Sequence, residues 1–273
     1  MTSAPNPDVE RALLDIPDDA LRKQAREFLA TVDLSRRVPE PTELVDGDDA
    51  VRYTTACDYP ATSDYGLVGE ALRQRPGIRG KRVLEIGPGP GNLIAELLVQ
   101  GAALVIGAEP SEVMRAYLEE KFHAEIRAGR VRLLPTSVYD LDGGGFDLEV
   151  CQNSVHQFFE PEQALKGMVR ALRSGGEAHI FDFRRDLPVA ALAERISYTR
   201  PVIWRDLANS ICAALTKAEF GAHLAGIPRI TYRARDAEDP RLLGNRALRL
   251  IAEDPVPHWR DYRVSQRVEV YRR

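Results

Sequence analysis

The sequence predicts an α/β protein built on a doubly wound, mostly parallel sheet. Three observations predict it. From Lys81 onward, short apolar runs alternate with longer amphipathic ones, the signature of parallel strands joined by helical crossovers. A glycine-rich turn links the first apolar run to the helix that follows it. The chain has 273 residues, 44% of them hydrophobic, enough to bury a core without disulfide or metal staples.

Before Lys81 the pattern is helical, and residues 1–78 read as an N-terminal helical cap. Asp8 to Asp15 predicts a short helix that Pro17 interrupts. Asp18 or Asp19 can then cap a second helix to about Thr31, with Leu21, Ala25, Phe28 and Val32 on one face. Residues 37–50 are Pro- and acid-rich and read as a linker. Tyr53, Tyr59 and Tyr65 follow, then a helix over Leu67–Gln74.

The second unit, residues 79–273, carries the alternation. Strands are predicted at Lys81–Ile86, Leu104–Ala108, Val131–Leu134, Phe146–Gln152 and Ala178–Phe183. Helices are predicted between them at Gly91–Gln100, Ser111–Ala128 and Pro161–Arg173. After Asp186 the pattern loosens. Leu187–Ser197, Ser210–Leu215 and Thr216–Ala225 read as helices, Ile230–Arg235 and Arg263–Tyr271 as two further strands that bring the sheet to seven. The stretches at about 187–228 and 240–261 read as insertions that cover a site.

Composition excludes several classes. No run of about 18 apolar residues is present, so no spanning helix or membrane partner is expected. Met1 to Glu10 lacks a basic start and an apolar stretch, so it does not read as a secretory signal. Three scattered cysteines, Cys57, Cys151 and Cys212, suit neither a disulfide framework nor a zinc site. A reducing cytoplasm is the corresponding expectation. Net charge is −4, which argues against a nucleic-acid partner. The charge is uneven: residues 1–50 hold 6 Lys/Arg against 12 Asp/Glu, and residues 240–273 hold 8 Arg against 4 Asp/Glu. With no aromatic platform among those arginines, the two ends are expected to face each other or water. The oligomeric state is left open, a homodimer among the options.

Val83-Leu84-Glu85-Ile86-Gly87-Pro88-Gly89-Pro90-Gly91-Asn92 is the most informative stretch. Its glycines allow a sharp turn and close approach to a ligand, at the carboxyl end of a strand where doubly wound sheets bind ligands. The dinucleotide fingerprint fails, because Asn92 stands where its third glycine belongs. A phosphate cradle also works through backbone N–H donors, and Pro88 and Pro90 remove two of them. Glu85 would repel an anion. The loop therefore suits a ligand with positive charge, such as the ammonium and sulfonium of S-adenosylmethionine.

Here the sequence resembles the class I S-adenosylmethionine-dependent methyltransferases. An apolar strand, an acid, one residue and Gly-x-Gly-x-Gly is their glycine motif, and Val83 to Gly91 matches it in full. The resemblance covers about residues 60–186. It implies a Rossmann-like methyltransferase fold with seven strands, S-adenosyl-L-methionine as cofactor, and contacts from Glu85, Gly87, Pro88 and Gly89. It implies that Glu109, ending the second strand, binds both ribose hydroxyls, with Pro110 beside it; a carboxylate has the two acceptor oxygens this needs. Met114 can lie against adenine. Where the family commonly has Gly-Asp-Ala, this chain has Thr136-Ser137-Val138. Ser137 and Val138 are thus the implied adenine contacts, with Asp140 an alternative for the missing acid. Gln152 and Asn153, ending the fourth strand, are implied for the methionine end, and Tyr65 for closing over it; Tyr59 is the second choice.

Methyl transfer is an in-line displacement that depends on alignment and exclusion of water. A hydroxyl nucleophile also needs a base. His156, just past the fourth strand, is the first catalytic candidate because its ordinary pKa is near neutral, ahead of Tyr139 and Asp182; the alternative is a packing histidine. His258 and Trp259 could line a substrate pocket. The function expected is methylation of a small-molecule acceptor at O, N or C, with no metal. The alternative is an enzyme of the same fold that cyclises, or transfers another part of the cofactor.

Overall fold

A computed structural model describes residues 6–41, 47–48, 50–51, 64–74, 76–237 and 262–273. Tyr53, Tyr59, the 240–261 insertion, His258 and Trp259 lie outside the described residues. The described residues form one seven-stranded sheet in the order β3-β2-β1-β4-β5-β7-β6. Its strands are β1 (Arg82–Ile86), β2 (Leu104–Ala108), β3 (Val131–Leu134), β4 (Phe146–Gln152), β5 (Leu172–Phe183), β6 (Ile230–Asp236) and β7 (Ser265–Arg272). Strands β1 to β5 pair in parallel, while β7 runs antiparallel to both β5 and β6. The order reverses between β1 and β4, which creates a switch point at their carboxyl ends.

Helices cover both faces. Among the described residues they are α1 (Pro7–Leu13), α2 (Asp19–Leu29), α3 (Asp64–Gln74), α4 (Asn92–Val99), α5 (Glu112–Lys121), α6 (His123–Arg127), α7 (Pro161–Ala171), α8 (Val189–Ser197), α9 (Trp204–Ala213) and α10 (Lys217–Ala225). One core joins α7 and α10 to one face of the sheet through Leu165, Met168, Phe220, Ile180 and Val268. A second joins α3, α4 and α5 to the other through Leu72, Leu97, Leu118, Val105 and Leu148. A third lies apart from both: Leu13 and Leu29 of α1 and α2 pack with Leu192, Ile196, Trp204 and Ile211 of α8 and α9. The first two helices therefore join the insertion after β5, whereas α3 packs beside α4 against the sheet.

Some boundaries differ from those the sequence predicts, each for a local reason. The helix expected over 111–128 is two helices, because Phe122 leaves helical geometry at φ −107°, ψ 22°. The helix expected to end at Arg173 ends at Ala171, and β5 begins at once. Its pairing with β4 jumps from Phe146↔Leu172 to Leu148↔Glu177. That bulge takes up Ser174, Gly175 and Gly176, which sequence alone assigns to a helix end. Helix α9 starts six residues before the predicted Ser210, on the face set by Trp204, Leu207, Ala208 and Ile211.

Candidate functional site

A cavity of about 370 Å³ opens beyond the carboxyl ends of β1, β2 and β4, within the range of small-molecule sites. All eleven residues expected to contact a cofactor line it: Tyr65, Glu85, Gly87, Pro88, Gly89, Glu109, Pro110, Ser137, Val138, Gln152 and Asn153. Met114 and Tyr139 line it as well.

The glycine turn forms the floor. Gly87, Gly89 and Gly91 have φ of 63°, 53° and 77°, left-handed values that glycine adopts without a Cβ clash. Gly91 is also the N-cap of α4. Lys121 holds the turn from behind, donating from Nζ to Pro90 O at 2.7 Å and to Asn92 Oδ1 at 3.1 Å. Nothing in the glycine motif points to this lysine, which lies 29 residues away from Asn92.

Two acids flank the turn. Glu85 is 2% exposed and its Oε2 has no hydrogen-bond partner. Burial pushes its pKa well above the usual carboxylate range, which favours the neutral form over the charged one until a cation or donor arrives. An orphaned carboxyl oxygen at the cavity floor fits an ammonium or sulfonium ligand and is a poor seat for a phosphate. Glu109 is buried, and its Oε1 accepts the Ser111 N–H at 2.9 Å, which fixes the carboxylate at the end of β2. Ser111 in turn caps α5 by accepting the Met114 N–H. Where the family's usual acid is missing, Ser137 Oγ donates to Asp140 Oδ2 at 2.9 Å, so a carboxylate stands beside the serine.

The wall after β4 contains residues that motif reading did not assign. Ser154, Gln157 and Phe158 all line the cavity. Ser154 Oγ reaches Gln152 O at 3.1 Å and Gly87 O at 3.3 Å, tying this turn to the glycine turn. Asn153 holds φ at 51°, rare for a residue with a Cβ.

His156 is placed differently. It is 3% exposed and is not among the residues lining the cavity. Its Nδ1 lies 2.6 Å from Asp182 Oδ1, and its Nε2 lies 3.8 Å from Glu40 Oε1. Burial alone would lower its pKa, but the charge and hydrogen bond of Asp182, aided by Glu40, outweigh burial and raise it. The ring thus lies between two acidic side chains that favour its protonated form. As a base it would need a nitrogen lone pair facing an acceptor, and His156 is not among the residues that line the cavity. His179 is buried inside β5, where Arg267 Nη2 donates to its Nδ1 at 2.8 Å. Arg185 is buried and pairs with Glu219.

Residues 84–180 match the family model described as "Methyltransferase domain". Residues 84–180 thus carry the sequence pattern of a methyltransferase domain. A 60-residue segment is 40% identical to ribosomal RNA small subunit methyltransferase A of Bartonella bacilliformis; it is 22% of this chain, and the chain spans about a fifth of that relative's length, at 22%. Among solved structures, the plantazolicin methyltransferase BpumL, in complex with a triazolic desmethylPZN analog and SAH, aligns over 97% of this chain and 98% of its own at 14% identity and TM-score 0.61. A putative S-adenosyl-L-methionine-dependent methyltransferase from Methanococcus maripaludis aligns over 72% and 91% at 18% identity and TM-score 0.56. The [4+2]-cyclase SpnF aligns over 76% and 79% at 15% identity and TM-score 0.50. At such identities the likeness is one of fold. No helix among the described residues is long and apolar enough to cross a membrane.

Proposed function

We propose that this protein transfers the methyl group of S-adenosyl-L-methionine to a small-molecule acceptor in the cytoplasm, at oxygen, nitrogen or carbon. The observation that carries the reading is the pairing of two buried acids, Glu85 and Glu109, in one cavity at the sheet's switch point.

Bound there, the cofactor supplies a methyl group on a sulfonium whose departure leaves a neutral thioether. The protein's part is to bind, orient and exclude water. Glu109 binds the ribose hydroxyls, with its carboxylate fixed by Ser111 and Pro110 alongside. Ser137 and Val138 contact adenine, with Asp140 behind the serine. Gly87, Pro88 and Gly89 let the backbone approach the ligand, and Glu85 answers its positive charge. Gln152 and Asn153 hold the methionine end, and Tyr65 closes over it; a tyrosine face attracts a sulfonium. His156, the catalytic candidate from sequence, acts as a positioning group for the turn after β4; to serve as a base it would keep Asp182 on Nδ1 and present Nε2 to the acceptor.

A small acceptor is supported by the net charge of −4, which gives no footprint for nucleic acid. It is also supported by the near-complete alignment with BpumL, solved with a triazolic desmethylPZN analog. The helical cap of residues 1–78 and the insertion at 187–228 are proposed to cover the acceptor end.

A second reading keeps the cofactor and changes the reaction, since SpnF, a cyclase, shares the fold. Identifying the sulfur product tests the choice. Turnover with a panel of hydroxyl, amine and activated-carbon acceptors that releases S-adenosylhomocysteine supports methyl transfer. Methylthioadenosine as the product, or an acceptor converted with the cofactor intact, favours the second reading.

A further inference from the structure

We propose that Arg37, far from every cofactor motif in sequence, is a positioning residue that sets the cavity wall after β4. Its Nε donates to Ala213 O at 2.7 Å, and its Nη2 donates to Phe158 O at 2.6 Å and His156 O at 3.2 Å. The first carbonyl ends α9. The other two belong to the 3-10 turn Val155–Gln157 and the residue that caps it. Carbonyls at helix ends lack intrahelical partners and carry partial negative charge. One guanidinium therefore joins two helix ends, one from the insertion after β5 and one from the cavity wall.

The geometry suits arginine and no other side chain. Its planar fork reaches divergent acceptors at once and stays charged when half-buried, whereas lysine is a single point donor. Burial pulls the Arg37 pKa down, but not out of the charged state.

The segment bearing Arg37 is itself fixed. Val38 N–H donates to Cys212 O at 3.0 Å, Ser210 Oγ donates to Glu40 Oε1 at 2.7 Å, and Arg185 Nη1 donates to Leu34 O at 3.2 Å. These bonds strap residues 34–40 to α9 and the end of β5. The carbonyls that Arg37 holds alternate with Gln157 and follow Ser154, and Ser154, Gln157 and Phe158 face the cavity. Ser154 then bonds to the glycine turn at Gly87. The path from the N-terminal strap to the cofactor floor is continuous: Arg37, the 156 and 158 carbonyls, Ser154, Gly87. Movement of the strap and α9 is thereby transmitted to the cofactor end of the cavity.

The inference rests on the reading of this cavity as the S-adenosylmethionine site, and its test separates the two. Hydrogen exchange of the ligand-free protein is compared for wild type, Arg37→Lys and Arg37→Gln, alongside calorimetric titration with S-adenosylhomocysteine. The expected result is faster exchange confined to residues 153–158, with β2 unchanged, and affinity weakened about tenfold, the loss of a charge-assisted hydrogen bond. Arg37→Lys tests the point if Arg37→Gln fails to fold, because it keeps the charge and loses the fork. Unchanged exchange in that turn overturns the proposal, as does unchanged affinity in a folded variant. If wild type takes up no S-adenosylhomocysteine, the functional reading fails and the exchange result alone decides the role of Arg37.

Discussion

The two oxygens of Asp182 hold His156 at two points: Oδ1 lies 2.6 Å from the ring Nδ1, and Oδ2 accepts the His156 backbone N–H at 3.1 Å. Strand β5 thereby fixes both the ring and the backbone of the turn after β4. Because the folded protein raises the His156 pKa, the stabilisation is complete below the unfolded value near 6.5 and is lost as pH rises through the higher folded value. His156→Gln is therefore expected to be less stable than wild type by about 1–3 kcal/mol at acid-to-neutral pH. The gap should shrink toward pH 9. Thermal melts across pH check this, and a deficit independent of pH contradicts the ion-pair account.

Glu85 gives a second pH-linked prediction. Burial holds its pKa well above the usual carboxylate range, so binding a cationic ligand beside it should expel its proton. S-adenosylhomocysteine, which keeps the ammonium, is expected to release up to about one proton at neutral pH. Titrations in buffers of different ionisation enthalpy measure that release directly. Glu85→Gln should abolish it and weaken binding. Buffer-independent heats in wild type would contradict the role assigned to this acid.

Glu149 carries a burial cost outside the cavity. It is fully buried in β4, neither carboxyl oxygen has a hydrogen-bond partner, and burial raises its pKa well above normal despite the distant charge of Arg272. A buried unsatisfied polar group costs about 1–3 kcal/mol. Glu149→Leu is expected to stabilise the protein by that order, about 2–4 °C per kcal/mol for a chain approaching this size. Its gain should be greatest at alkaline pH, where the wild-type acid would have to ionise. A lower melting temperature for Glu149→Leu would show that the carboxyl has a structural partner.

Gly87 and Gly129 separate backbone strain from contact. Both have positive φ, 63° and 69°. A Cβ on Gly87 would lie 2.6 Å from Ser154 Oγ, whereas one on Gly129 meets nothing within 4 Å. Alanine at either position should cost about 1 kcal/mol of stability from the backbone alone. Only Gly87→Ala should also push the Ser154 turn away and reduce S-adenosylhomocysteine affinity by an order of magnitude or more. Equal affinities in the two variants would remove Ser154 from the site.

Residues near a strand end were legible in the sequence because the doubly wound sheet delivers them to one edge. Glu85, Glu109, Ser137 and Asn153 are 68 positions apart at the extremes, yet each closes or follows a parallel strand, and the strand order brings them together. Boundaries were less legible where a local exception overrides periodicity, as at Phe122 and at the bulge before Glu177. What the sequence could not show was support that crosses the chain. Arg37 reaches carbonyls 119 and 121 residues away, and backbone carbonyls leave no residue-type signal. His156 shows the same limit: its type and place suggested a base, but its partner Asp182 lies 26 residues on and holds it behind the cavity wall.

Titration of the wild-type protein and of Glu109→Ala with S-adenosylhomocysteine tests the central claim most directly. The account predicts saturable one-to-one binding by wild type and at least about tenfold weaker binding by Glu109→Ala, 1.4 kcal/mol or more. Absence of binding to a folded wild-type protein, or equal affinity in the two, would contradict it.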